Sequence, residues 1–450
     1  MSGDAARGAA YTCLVAVQRD NAYANLVMPK ILRERGLRGR DAAFATELAY
    51  GALRMQGWYD AVIGHAAKRP VETINPEVRC CLWLGAHQVL AMRVPPHAAV
   101  SETVDMVREH GGVGAAKFAN AVMRRITERD EDAWVALLAP GSSRTSLATR
   151  HSHPTWVADS LAESLGADGR HTELEAALAA NNARAKVSLV ARPGLVTQQE
   201  LAASVPDAEP SPLSRYGVTL GGGDPASIPA VADGRAAVQD EGSQVVATAL
   251  VKAAPVHAGE RWLDMCAGPG GKAALLGALA SGAGAKLDAL ELHSHRATLV
   301  RTAVSRLDPA TVTVHVGDAR TWGVDGSYDR VLLDAPCTGL GALRRRPEAR
   351  WRRSQQDLVD LAALQAELLA AAARLVAPGG LVAYVTCSPV LAETRDIIER
   401  AVGLDIIDAR PAMAAATNLA PEAWGTGPAV QMWTHVHGTD AMFLALLRRP

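Results

Sequence analysis

Two cysteines stand where a thiol could act as a nucleophile. Cys337 lies in Asp334-Ala335-Pro336-Cys337 and Cys387 in Thr386-Cys387-Ser388-Pro389. Each follows an apolar run with strand character, Tyr328 to Leu333 and Gly380 to Val385. In an open α/β sheet, ligands bind beyond the carboxyl ends of the strands, so both thiols are expected at the mouth of one sheet. Either cysteine alone could be a small packing residue. The flanking Pro336 and Pro389, and the strand-end placement of both, favour chemistry. Cys13, Cys80 and Cys81 sit in apolar helical contexts and are expected to pack.

A third strand-like run, Arg261 to Met265, leads into Cys266, Ala267, Gly268, Pro269, Gly270, Gly271 and Lys272. Glycine lets backbone approach a cofactor closely. The turn is not a dinucleotide fingerprint, because Ala273 stands where the last glycine of G-x-G-x-x-G would be. Nor is it an NTPase loop, since Ala273 also replaces the required hydroxyl. Glu291 ends the next strand and can accept ribose hydroxyls. Asp318 follows the third and could meet an adenine amino group, and Asp334 ends the fourth. Any one of these carboxylates could be a helix cap. Together at consecutive strand ends they point to a nucleoside cofactor, S-adenosylmethionine in preference to NAD or ATP.

A thiol beside such a cofactor suits an electrophilic ring. Carbon-5 of cytosine is too weak a nucleophile to take a methyl group unaided. Thiolate addition at carbon-6 makes carbon-5 enamine-like. The chemistry needs a thiolate, an acid or base and a methyl donor in line. Cys387, Asp334 and the glycine loop supply these types, and Cys337 could assist release. After Cys337 come Arg344, Arg345, Arg346, Arg350 and Trp351, a composition suited to phosphates and unstacked bases; a solvated helix start is the plainer alternative. No C-x-x-C pair or Cys/His cluster suggests a metal.

The elements that must hold these residues form a multidomain chain. Residues 1–128 show helical periodicity punctuated by Pro70, Pro76, Pro95 and Pro96. This is an all-α domain, either a bundle with a charged face or an RNA-docking surface. Residues 129–158 have the composition of a linker. Residues 159–235 are expected to form a small α+β subdomain. From 236 to 450 strands and helices alternate, which implies a doubly wound, mostly parallel sheet. Its expected strands are 261–265, 286–291, 311–316, 328–333, 380–385, 404–408 and 442–447, with a helix from Gln355 to Val376.

Bulk properties set the outer limits. A chain of 450 residues is too long for one core. With 46 basic and 47 acidic residues it is no globally basic coat, although a local patch is open. Six cysteines do not make a disulfide scaffold. The first residues, Met1 to Arg7, lack a signal-peptide core, and no apolar run reaches the ~20 residues of a membrane span. The expectation is a soluble cytoplasmic protein with free thiols and no membrane partner.

On these residues the chain resembles the Sun/Fmu family of RNA cytosine-C5 methyltransferases. The similarity runs through Leu263 to Lys272, Asp334 to Cys337, Arg345-Arg346-Pro347-Glu348, Thr386-Cys387-Ser388 and Asp440 to Phe443. The amino-terminal half is similar to the NusB-like helical domain of the RsmB branch, in Ala42 to Gly51, Leu84 to Gln88 and Phe118 to Arg125. The resemblance implies a Rossmann-like class I methyltransferase domain, S-adenosylmethionine as cofactor, and 16S rRNA as partner, with cytosine 967 as the target type. It further implies Cys387 as nucleophile, Cys337 as release cysteine and Asp334 as the cytosine- and cofactor-facing carboxylate. The cofactor contacts it implies are Cys266 to Lys272, Glu291 and Asp318, in a protein expected to act as a monomer. Three departures stand out: Gly268 where alanine is commoner, Glu291 for a usual Asp, and Pro389 to Thr394 where the family often has Pro-Glu-Glu-Asn. The same chemistry on tRNA or another rRNA site, or an RNA-binding assembly factor with a vestigial catalytic domain, are the competing readings. Intact Cys387, Cys337, Asp334 and glycine loop argue against the latter.

Overall fold

The computed structural model describes residues 5–92 and 94–450. Residues 1–4, part of the stretch expected to lack a signal-peptide core, lie outside the described residues. The chain divides into two compact units. One comprises residues up to Leu165, Arg170–Arg184 and Leu343–Arg352; the other comprises Gly166–Gly169, Ala185–Ala342 and Arg353–Pro450.

The first unit is helical. Its helices include Ala5–Arg19, Gly39–Arg54, Gln56–Ala67, Pro76–Leu90 and Pro96–Ile126, the last broken by non-helical backbone at Gly112. Trp58, Trp83, Leu14, Leu48 and Trp134 fill its core. Pro76 opens its helix at a position with no N–H partner to lose, and the Asn75 side chain accepts from Glu77 N and Val78 N.

Residues 129–158 are not an extended linker. They form helices Glu131–Leu138 and Arg144–Arg150 and the start of Thr155–Ala167. Asp130 caps the first through Ala133 N at 2.9 Å, and Ser143 caps the second through Ser146 N at 3.1 Å. Residues that suggest a linker by composition are here helix starts.

The second unit holds two sheets. Strands β1 (Val187–Ala191), β2 (Ala208–Pro210), β3 (Gly217–Leu220) and β4 (Ala236–Val238) pair antiparallel in the order β2-β3-β1-β4. The larger sheet comprises β5 (Arg261–Asp264), β6 (Lys286–Glu291), β7 (Val312–Val316), β8 (Tyr328–Asp334), β9 (Val376–Thr386), β10 (Asp405–Ile407), β11 (Val430–Gln431) and β12 (Phe443–Arg448). Its order is β10-β12-β9-β8-β5-β6-β7, with β11 on β12. The run from β9 to β7 is parallel, whereas β12 is antiparallel to β9 and to β10. The inner parallel strands β5, β8 and β9 are largely buried, as a sheet covered on both faces requires, whereas the edge strand β7 is partly exposed. Helix Gln355–Leu375, opened by a Ser354/Asp357 capping box, runs straight into β9, which begins at Val376 rather than Gly380. Among the described residues no helix is long and apolar enough to cross a membrane.

Candidate active site

Register brings the chemistry to one edge of the larger sheet. Asp264 is paired with Leu332 of β8 and Ala289 of β6, and Asp334 with Val385 of β9. The carboxyl ends of β5, β6, β8 and β9 therefore lie side by side, and each delivers a residue expected from the sequence.

The glycine loop leaves β5 still bonded to the sheet, with Met265 N donating to Leu332 O and Ala267 N to Leu290 O, both at 2.9 Å. It then turns under Glu291. The Glu291 carboxylate, almost fully buried, accepts Gly268 N at 3.2 Å and His293 N at 3.0 Å. A Cβ on residue 268 would stand 2.2 Å from Glu291 Oε2, so only glycine fits this close approach. Arg296, not anticipated from the sequence, donates to Gly268 O at 2.8 Å and lies 3.7 Å from Glu291 Oε2. Cys266 is half-buried, and its thiol is pushed well up by burial and the carboxylates of Asp264, Asp334 and Glu291. Asp318 is gripped by Arg320, which donates Nη2 to Oδ2 at 2.6 Å and holds the carboxyl below its usual range.

Lys272, expected on the cofactor, reaches instead to the next strand end. Its Nζ donates to Asp334 Oδ2 at 2.7 Å. Burial disfavours the ammonium, but Asp334 outweighs it and Lys272 is held above the usual lysine value. Behind the pair lies buried Asp264, whose carboxyl is pushed up to about 7 by burial and by Asp334; its Oδ2 makes no hydrogen bond.

The two sulfurs meet. Cys337 Sγ lies 3.4 Å from Cys387 Sγ, both half-buried. The backbone holds the two loops together: Ala335 N donates to Val385 O at 2.9 Å, and Gly341 N to Cys387 O at 2.8 Å. A side chain at 341 would stand 2.8 Å from that same carbonyl oxygen. The hydrogen bond with Cys337 lowers the Cys387 thiol; burial and Asp334 oppose this and Lys272 assists it. Cys337 moves the other way, raised by that same bond and by burial. The pair can thus present one thiolate and one thiol.

The arginine stretch does not behave as expected throughout. It belongs to the helical unit. Arg350, expected on RNA, is fully buried. Its guanidinium donates to Ser152 O at 3.0 Å, Asn182 Oδ1 at 2.7 Å and Asn181 O at 3.3 Å, which leaves no access for a phosphate. Burial lowers its pKa to about 9. Arg352 likewise donates to Val17 O and Ala22 O, at 2.8 and 2.6 Å. Trp351 is partly exposed, with its ring edge against Gly57. Arg344 and Arg345 are half-buried, whereas Arg346 is exposed and its guanidinium lies over Tyr23. Among the described residues no group of His, Cys, Asp and Glu side chains is placed to hold a metal.

Residues 251–448 match the family model described as 16S rRNA methyltransferase RsmB/F, and residues 4–128 match the NusB family. A protein of Mycobacterium tuberculosis named as a methyltransferase is 48% identical over 452 residues, covering 99% of this chain and 97% of the relative. Ribosomal RNA small subunit methyltransferase B of Pseudomonas putida is 32% identical over 401 residues, 87% of this chain and 88% of that one. The chain belongs to the RsmB/F family of 16S rRNA methyltransferases. The RsmB/F fold is shared over its whole length with the crystal structure of PH0851, at TM-score 0.80 and 22% identity, covering 100% of this chain and 99% of that one. The chain is therefore a methyltransferase of the rRNA-modifying RsmB/F type, with a NusB-like helical domain ahead of a mixed-sheet methyltransferase domain.

Sequence reasoning missed three residues near the candidate site besides Arg296. Glu393, Gln365 and Thr338 form a buried polar cluster under the Cys337 loop. A signal existed for the first: Glu393 is the one acid in the otherwise uncharged stretch Thr386 to Thr394.

Proposed function

We propose that this enzyme methylates carbon-5 of a cytosine in 16S rRNA, of the cytosine-967 type, with S-adenosylmethionine as donor and Cys387 as covalent nucleophile. The observation that carries the reading is the Cys337–Cys387 contact beside the Lys272–Asp334 ion pair. One thiolate to add to a pyrimidine ring and a neighbouring thiol to assist its departure suit an addition–elimination.

The residues present fit the cofactor. Glu291 is a buried carboxylate at a strand end whose lone pairs can take ribose hydroxyls. The 266–272 loop passes close beneath it, and Asp318, just beyond the end of β7, is assigned to an adenine amino group. S-adenosylmethionine, when bound, supplies an electrophilic methyl group. The chain's own residues do the rest. The Cys387 thiolate adds to carbon-6, and the ring electrons move to carbon-5 and N3. Lys272 and Asp334 hold charge and proton at the polar edge of the ring. After methylation, Asp334 takes the carbon-5 proton, the carbon–hydrogen pair re-forms the ring double bond, and the carbon-6–sulfur pair returns to Cys387. Cys337 donates a hydrogen bond to that returning thiolate, which favours release.

Phosphate contacts are assigned to exposed Arg346 together with Arg344 and Arg345, with Trp351 as a stacking face and residues 1–128 as the wider RNA-binding module. We assign the enzyme to the cytoplasm, where both thiols stay reduced, and expect it to act as a monomer.

Bisulfite sequencing of 16S rRNA and tRNA from a deletion strain tests the reading. One 16S cytosine should lose its protection and regain it on complementation. Loss confined to tRNA would overturn the substrate, and no loss in either RNA would overturn the chemistry.

A further inference from the structure

The loop that carries Cys337 rests on one carboxylate. Glu393 is fully buried, with 0% of its surface exposed. It accepts Thr338 N at 2.7 Å, Thr338 Oγ1 at 2.5 Å and Gln365 Nε2 at 3.2 Å. Gln365 also donates to Pro336 O at 2.8 Å. The residues on either side of Cys337 are thereby tied to the same point. Glu393 is itself fixed from behind, since Tyr384 of β9 donates its hydroxyl to Glu393 O at 2.7 Å. Among the described residues no cation pairs with this carboxylate.

Burying an unpaired charge is expensive, and an apolar residue could fill the space. What the charge does here follows from where it lies. Three neutral donors hold the carboxylate in place, and its negative potential falls on the Cys337 side of the sulfur pair. A thiolate at Cys337 is disfavoured there, so the shared proton stays on Cys337 and points to Cys387.

We propose that Glu393 is a positioning residue for the two-cysteine chemistry: by seating the Cys337 loop it makes Cys337 the hydrogen-bond donor and leaves Cys387 as the nucleophile. This rests on the nucleophile assignment made above, and it adds the residue that enforces the division of roles.

The test is alkylation of the full-length, reduced protein with iodoacetamide between pH 6 and 9, each cysteine being quantified by peptide mass spectrometry. Thiolates react and thiols do not, so the readout is independent of methyl transfer. In the wild type, Cys387 should be modified faster than Cys337. Glu393→Gln keeps the shape and an acceptor for Thr338 N but removes the charge. The Cys337:Cys387 ratio should then rise about tenfold, equivalent to roughly one pKa unit. An unchanged ratio in folded Glu393→Gln overturns the proposal. Equal modification of both sulfurs in the wild type overturns the nucleophile assignment, and the proposal with it. Should Glu393→Gln fail to fold, Thr338→Val decides. It loosens the loop, deprives Cys387 of its donor and should raise the same ratio, whereas Thr338→Ser should restore it. A ratio unmoved by Thr338→Val overturns the proposal.

Discussion

Glu291 occupies the space that a side chain on residue 268 would need. Its Oε2 accepts Gly268 N at 3.2 Å and stands 2.2 Å from the position of a Cβ there. The two departures from the commoner family pattern, glycine at 268 and glutamate at 291, are thus one feature. The longer carboxylate reaches under the loop into room that only glycine leaves.

Gly268→Ala should therefore displace the Glu291 carboxylate and weaken S-adenosylmethionine binding by about 1–3 kcal/mol, the usual range for overpacking a tight site. The double variant Gly268→Ala/Glu291→Asp, which shortens the acid by one methylene, should recover most of that loss. Titration calorimetry on the three proteins checks both halves; a double variant no better than the single one would uncouple the pair.

Cys387→Ala should abolish methyl transfer and leave folding and cofactor binding close to wild type, because the side chain is half-buried and replaced by a smaller one. The same thiol predicts a pH effect. Cys387 must be ionised to attack, and its pKa is lowered in the fold, chiefly by the Cys337 hydrogen bond. Activity should fall as pH drops through that lowered value, so the acid limb lies below the ~8.5 of a free cysteine. In Cys337→Ala the donor is lost, and the rate of single-turnover adduct formation should show its acid limb at higher pH.

Cys337→Ala should also accumulate a covalent protein–RNA species, since attack by Cys387 precedes the step that Cys337 assists. A slow band on a denaturing gel, absent from the double cysteine variant, is the expected result. Clean turnover without such a band would assign Cys337 to packing alone.

Arg350 and Arg346 should separate stability from RNA binding. Arg350→Ala leaves the carbonyls of Ser152 and Asn181 without a donor and should cost about 1.5–3 kcal/mol of stability, the range for hydrogen bonds to a charged group. Its effect on the salt dependence of RNA binding should be small. Arg346→Ala should do the reverse, leaving the melting temperature near wild type and reducing the slope of log affinity against log salt by about one phosphate contact. Thermal melts and filter binding at several salt concentrations distinguish the two.

Much of this molecule is legible in its chain because local pattern carries it. Val331 to Leu333 and Leu381 to Val385 are continuous apolar runs, and such runs fix a strand and the residue at its end. Cys337, Cys387, Asp334, Glu291 and the Cys266 to Lys272 turn could all be placed at one sheet edge on that basis. Composition misleads where a residue type serves two purposes. Asp130 and Ser143 suggest a linker but cap helices, and the dense arginines suggest a phosphate-binding face while Arg350 is buried against carbonyl oxygens.

The remainder depends on contacts between residues far apart in the chain. Glu393 meets Thr338 across 55 residues, and Lys272 meets Asp334 across 62. No periodicity or spacing encodes such pairs, because they arise only when separate strands align in register. The candidate reactive residues can be named from the chain alone. Which sulfur holds the proton follows from the folded arrangement, because a thiol's ionisation is set by the charges and hydrogen bonds that tertiary packing brings within a few ångströms.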